Sequence, residues 1–153
     1  MRSSRAGNPH FPLSAAQHGV WVAQQMDPTN PRYNCGGYLE IHGTVDIPLF
    51  EQAVRKAVAE TEALRIRFVA DSDGPWQVIE PLTECPWHVI DVSDDQDPQQ
   101  TAETWMRADL AKPVDLGTAP LFNHALFKVA ADRSFFYLRY HQIAVDRLWR
   151  LLY

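Results

Sequence analysis

Two long runs of apolar and aromatic residues, Leu121 to Val129 and Ser134 to His141, constrain this chain most. Side chains of that kind in runs of that length read as strands, with Ala130 to Arg133 as the turn between them. Along the second run Phe135, Tyr137, Arg139 and His141 alternate with Phe136, Leu138, Tyr140 and Gln142. Successive side chains of a strand point to opposite faces, so His141 and Gln142 face opposite ways if the strand reaches them. One of the two then faces packed structure and the other is free to face a cavity. Beyond them Ile143, Ala144 and Val145 lead to Asp146, which starts a helical stripe of Leu148, Leu151 and Leu152. A strand end feeding a helix start is a common place for a site.

The rest of the chain alternates helical and strand patterns, which makes the class α/β. Residues 1–12 carry Gly, Pro and Ser without periodicity and read as a linker or tail, with order from about Leu13. Ser14 is the N-cap of a helix running to about Met26, stopped by Asp27 and Pro28. Tyr38 to His42 fits a strand. Asp46 caps a second helix with Pro48 in its first turn, whose Phe50, Ala53, Val54, Ala57, Val58 and Thr61 form one apolar stripe. Leu64 to Val69 and Trp76 to Glu80 read as a hairpin around Asp71 to Gly74, and Trp87 to Asp91 as another strand. Asp94 or Asp97 starts a third helix, ended by Pro113. The last stripe stops at Tyr153 without a cap or polar tail, which reads as a cut.

At 153 residues the chain is one domain's worth, and with 46% hydrophobic residues it can bury a core. The formal charge of -5 gives no bulk attraction to nucleic acid or to an anionic membrane. No apolar run reaches the roughly 20 residues of a spanning helix, and no apolar core of a signal peptide follows the basic start, so a cytoplasmic protein is expected. Cys35 and Cys85 stand far apart, without metal spacing. His124, Asp115 and His141 are joined by no ligand spacing, so no metal site is expected. Ser14 is more simply a cap than a nucleophile.

Three stretches together carry a resemblance. His141, Gln142, Ile143, Ala144, Val145, Asp146 and Arg147 resemble the H-H-x-x-x-D-G signature of condensation domains of nonribosomal peptide synthetases, with Gln for the second His and Arg for the Gly. Leu13, Ser14, Ala15, Ala16, Gln17 and Trp21 are similar to the family's opening S-x-A-Q-x-x-x-W helix. Glu62, Ala63, Leu64, Arg65, Ile66, Arg67 and Phe68 are similar to its R-H-E-x-L-R-x-x-F motif, with Glu60 and Thr61 departing from the Arg and His. The element order also suits that family's fold, which resembles chloramphenicol acetyltransferase and has two lobes, so the resemblance implies an α/β lobe: a mixed sheet with helices packed on it. On this reading residues 13–153 are the N-terminal lobe, and the C-terminal lobe is absent.

The resemblance implies an amide-forming acyltransferase without metal or diffusible cofactor. Its substrates ride on the phosphopantetheine arms of donor and acceptor carrier proteins, and neighbouring synthetase domains and the C-terminal lobe complete the set of partners. The acceptor amine attacks the donor thioester in a tunnel faced by the second His, where Gln142 stands here. A glutamine amide orients an amine but does not titrate near neutral pH, and lost acid–base help typically costs about 10²–10⁴-fold. The alternative is a catalytically silent relative that binds carriers or recruits a tailoring enzyme. Arg147, in place of a glycine, either gates the tunnel or is a surface arginine. Arg133, Arg139 and Arg150 stand either at solvated edges or on a surface favouring an acidic carrier. His141 is the non-catalytic His, packed beneath the loop. The chain alone is expected to expose a large apolar face and to be inactive.

The resemblance further pairs Asp146 with Arg65 in a structural salt bridge. Asp146→Ala is therefore expected to damage folding before chemistry, at roughly 3–5 kcal/mol for an unmatched buried charge. Soluble yield and a urea titration check this; a fully folded Asp146→Ala protein counts against it.

Overall fold

The computed structural model describes residues 9–81, 84–118 and 120–145. In chain order these form β1 (His10–Pro12), α1 (Ala15–Met26), β2 (Asn34–His42), α2 (Ile47–Glu60), β3 (Ile66–Asp71), β4 (Gly74–Ile79), β5 (Trp87–Asp91), α3 (Pro98–Leu110), β6 (Phe122–Ala130) and β7 (Arg133–His141). Each helix starts where a side chain satisfies an otherwise orphaned backbone donor. Ser14 and Gln17 close a capping box, Asp46 accepts from the Leu49 amide at 3.0 Å, and Asp97, not Asp94, accepts from the Gln100 amide at 3.0 Å.

The strands make two sheets. The smaller is antiparallel, in the order β1-β4-β3; the larger is mixed, in the order β2-β7-β6-β5, with β5 parallel to β6. Three features depart from the sequence expectation. Order begins at His10 rather than Leu13, because His10 to Pro12 pair with Val78 to Trp76 of β4. The imino nitrogen of Pro12 is tolerated there because β1 lies at the sheet's edge. β2 extends back from Tyr38 to Asn34, where Asn34 to Gly37 lack a strand pattern of their own but pair residue for residue with His141 to Leu138. The hairpin strands both sit closer to their turn, since Asp71 already pairs with Gly74, whose φ of 120° suits glycine. The expected final helix lies outside the described residues.

The larger sheet is packed on both faces. On one, Phe127, Phe135 and Tyr137, all 0% exposed, pack with Ala102 and Met106 of α3. Trp105 meets Phe127 and Tyr137 edge-on, with centroids 5.3 and 5.8 Å apart. The end of α3 lies close on β2: a Cβ at Gly36 would sit 2.6 Å from Leu110 Cδ2 and 3.0 Å from the Leu138 carbonyl, which is why this position has none. On the opposite face Phe50 of α2 stands edge-on to Phe136 at 4.9 Å. A second core gathers Ile66 and Phe68 of β3, Leu116, Leu121, Ile143 and Ala144, with Val20 and Trp21 of α1 against it. It joins the smaller sheet and α1 to the segment after β7. Among the described residues the exposed large apolar side chains are Val22 and Met26, one turn apart on α1, and Leu39, Leu49 and Val89 on β2, α2 and β5.

One charge is buried deep between α3 and the sheet. Asp109, 1% exposed, accepts from Asn123 Nδ2 at 3.0 Å and from the Tyr137 hydroxyl at 3.1 Å, with Arg139 Nε 3.0 Å from Oδ2 and Lys112 Nζ 3.6 Å from Oδ1. Burial, with the Asp109 charge beside it, pushes the Tyr137 phenol up, so it stays a donor. Arg139 is thereby turned into the fold, which corrects the reading of it as a solvated or carrier-facing arginine. Asp109→Ala leaves the Arg139 guanidinium buried without its counter-charge and is expected to cost about 3–5 kcal/mol. Urea unfolding monitored by tryptophan fluorescence measures it; an unchanged midpoint would show that the pair contributes nothing.

Candidate functional site

The end of β7 and the turn after it carry the family-like signature. The two neighbours separate as strand alternation requires: His141 is 2% exposed, whereas Gln142 is open to solvent. The backbone around Gln142 is tied on several sides. Its amide donates to the Tyr33 carbonyl at 2.8 Å, the Ala144 amide donates to the His141 carbonyl at 3.0 Å, and the His141 amide donates to the Leu121 carbonyl at 3.0 Å. Ile143 donates its N–H to His141 Nδ1 at 3.3 Å, while its carbonyl accepts from Gln17 Nε2 at 3.2 Å. Gln17 also donates to Gln77 Oε1 at 3.2 Å and accepts from the Ser14 amide at 2.9 Å, so one side chain links the start of α1, β4 and this turn.

His141 rests on α1 from below. Its Nε2 lies 3.3 Å from Oε1 of Gln24, itself 4% exposed, and Tyr33 tilts against its ring at 6.1 Å. Burial and, after it, the Arg139 charge push the His141 imidazole down to about 4, so it is neutral at physiological pH. His124 is the second buried imidazole. It sits on β6, on the sheet face that Tyr140 also occupies, with Nε2 2.9 Å from the Tyr140 hydroxyl and Nδ1 buried without a hydrogen-bond partner among the described residues. Burial lowers His124 to about 4 and raises Tyr140 to about 12.

Of the residues singled out from the sequence, the structure brings His141, Gln142 and Gln17 together. Arg65 stands immediately before β3, whose first residue, Ile66, packs in the same core as Ile143 and Ala144. Its Nη1 donates to the Glu80 carbonyl at 3.1 Å, and its Nε is buried without a hydrogen-bond partner among the described residues. Asp146 and Arg147 lie outside the described residues, as does Arg150. Arg133 is held by Glu40 and donates to Gln99 at 3.2 Å. Gln24 and Tyr33 were not singled out. A polar residue on a helix flank carries no sign that it will meet a buried histidine from the far end of the chain. Among the described residues no group of His, Cys, Asp or Glu is placed to hold a metal. A cavity of about 220 Å³ is lined by Val45, Val89, Leu126, Lys128 and Ser134 among others. It opens at the β6–β7 turn, the opposite end of β7 from Gln142, and belongs to no part of this site.

A mixed sheet packed on both faces by helices, with the signature at the exposed end of its inner strand, defines a lobe of the chloramphenicol acetyltransferase-like type. The model of the Condensation domain family matches residues 8–148, and the chain belongs to that family. It is 56% identical over 136 residues to a dimodular nonribosomal peptide synthase of Bacillus subtilis, covering 89% of this chain and 6% of that protein. It is 43% identical to an isonitrile lipopeptide synthase of Streptomyces coeruleorubidus, covering 88% and 9% of the two chains. The starter condensation domain of rhizomide synthetase superposes with a TM-score of 0.82 at 41% identity, over 88% of this chain and 33% of that one. The first condensation domain of the calcium-dependent antibiotic synthetase does so at 0.83 and 37%, over 87% and 32%. The chain thus spans about a third of the solved chains it matches.

The two buried imidazoles give the fold a pH dependence of definite sign. Both are neutral in the folded state down to about 4, whereas in the unfolded chain each titrates near 6.5. Below about pH 6.5 the unfolded chain binds protons the folded one refuses, so stability is full above that pH and falls until about pH 4. Glu40, Asp91 and Glu103, held low by Arg133, Ser93 and Gln99, yield their share only at lower pH. Urea midpoints from pH 7.5 to 4.5 are expected to decline, and His124→Phe to flatten the decline by roughly half. A flat profile in the unaltered chain would refute it.

Proposed function

We propose that this chain is the first lobe of a condensation domain that joins a donor acyl or peptidyl group to an acceptor aminoacyl group, both tethered to carrier proteins by phosphopantetheine. The observation that carries this is the placement of residue 142: its side chain leaves the core at the end of β7, beside a buried His141, in a chain belonging to the Condensation family. The reaction needs the acceptor amine to attack the thioester carbonyl, expel the pantetheine thiolate and lose a proton. Gln142 contributes the first requirement by hydrogen bonding to the amine through its amide oxygen. It contributes nothing to the last, because an amide does not accept a proton near neutral pH. The step is accordingly impaired, not re-routed. The partners on this reading are the two carriers, the C-terminal lobe that supplies the other tunnel wall, and neighbouring synthetase domains in the cytoplasm. On the same reading Asp146 would be the salt-bridge partner of Arg65, whose Nε is buried without a hydrogen-bond partner among the described residues, and Arg147 would gate the tunnel.

A second reading has its own observation. A residue that does not titrate, in the place of one that does, suits a silent domain that binds carriers or recruits a tailoring enzyme. The two are separated by a protein in which this chain is followed by a second lobe, given loaded donor and acceptor carriers and followed for amide product by intact-protein mass spectrometry. Gln142→His is expected to raise the rate about 10²–10⁴-fold. Equal rates with Gln and His would mean that orientation suffices, and no product with either would favour the silent domain.

A further inference from the structure

Residue 142 serves any chemistry only if its side chain leaves the turn in one direction, and that direction is set by the peptide that follows it. Both backbone groups of that next residue, Ile143, are engaged by side chains: His141 Nδ1 takes its N–H, and Gln17 Nε2 reaches its carbonyl. For Nδ1 to accept, a neutral imidazole must carry its proton on Nε2. Gln24 enforces that choice. Its Nε2 lies 3.2, 3.1 and 3.3 Å from the carbonyls of Asp27, Pro28 and Asn30, which only the amide's NH₂ end can satisfy. Its oxygen is therefore the atom turned to His141 Nε2, and an oxygen there requires a proton on the imidazole. The opposite tautomer would leave the Gln24 oxygen facing a lone pair and set the Nδ1 proton against the Ile143 N–H. Gln17 and Gln24 stand seven residues, two helical turns, apart on α1, and so present both amides to the same side.

We propose that Gln24 and Gln17 are positioning residues for residue 142. Gln24 fixes His141 as the Nε2–H tautomer so that it holds the Ile143 amide, and Gln17 holds the Ile143 carbonyl. Together they fix the two peptides that flank Ile143, against which residue 142 turns away from β7. The proposal rests on the reading of residue 142 as the one that faces the reacting groups, but its test needs no turnover, so the two fail separately.

The test is solution NMR on the full chain with ¹⁵N-labelled histidine and uniform backbone labelling. The unaltered chain is expected to show His141 as a single Nε2–H tautomer at neutral pH, a protected Ile143 amide and one χ1 rotamer for Gln142 in three-bond couplings. Gln24→Leu is expected to mix the His141 tautomers, speed Ile143 amide exchange roughly tenfold and average the Gln142 rotamer. Gln17→Leu is expected to average the rotamer while leaving the tautomer alone, a split that a general loss of stability would not produce. An Nδ1–H tautomer in the unaltered chain overturns the proposal without any variant, as does a Gln142 rotamer indifferent to both substitutions. Should Gln24→Leu fail to fold, the tautomer of the unaltered chain and the Gln17→Leu rotamer decide.

Discussion

The rest of the structure depends on the pairing of β7. It is bonded on both sides, to β2 from Asn34↔His141 to His42↔Arg133 and to β6 from Phe122↔Tyr140 to Ala130↔Arg133. A strand bonded on both edges and largely buried on one face resists slipping, because a shift of one residue would exchange every inward side chain for an outward one. Here the exchange would bring Arg133 and Arg139 out of register with their partners and put Phe135 and Tyr137, both 0% exposed, on the other face. His141 is the last residue under that constraint. The position at which the chain leaves the sheet, and with it the place of residue 142, is fixed by pairing that runs the full length of the strand.

Asp109 adds a polar lock to this apolar frame. Its bonds to Asn123 of β6 and Tyr137 of β7 and its ion pair with Arg139 span two strands from one helix terminus. An apolar interface tolerates sliding, since its contacts are non-directional, whereas a carboxylate bonded from three directions does not. The lock sits one strand position from Tyr140 and two from His141, so it holds the α3 face of β7 near the end where the site lies. α1 works on the segment beyond β7 through Gln17 and Gln24. Two helices thus act on consecutive stretches of one backbone.

What could be read from the chain follows from how local each cause is. The three described helices and most strands were legible because a cap and a periodic stripe lie within a few residues of one another: Ser14 and Asp46 with Pro48 each mark their helix start, while the third start was narrowed to Asp94 or Asp97 and is settled at Asp97 by its bond to the Gln100 amide. The opposite facing of His141 and Gln142 was legible for the same reason, since alternation is a local rule. The strand status of Asn34 to Gly37 was not, because those residues extend only by pairing with a strand more than ninety residues away. Nor was β1, a short edge recruited by β4. At the site, Gln142 stood out by its departure from a motif, but Gln24 did not. Its importance lies in an oxygen 3.3 Å from an imidazole 117 positions along the chain, and no spacing in the sequence expresses that.

The same division bears on the proposal that residue 142 faces the reacting groups, because the described fold around it does not depend on its side chain. At position 142 the described bonds that hold the turn are made by the backbone, by the amide to Tyr33 and by the neighbouring Ile143 to His141 and Gln17, while the side chain is exposed. Substitution there removes little buried area and, among the described residues, breaks no side-chain hydrogen bond, and those losses are main sources of a large stability loss. His141, one residue earlier, is the reverse: buried, bonded at both ring nitrogens, and replaceable only at the expense of the Gln24 and Ile143 bonds. On the proposed function, chemistry and architecture are therefore carried by adjacent residues on opposite sides of one strand end. On that same function, glutamine in place of histidine at 142 would alter what the site can do to a proton without altering where the site is.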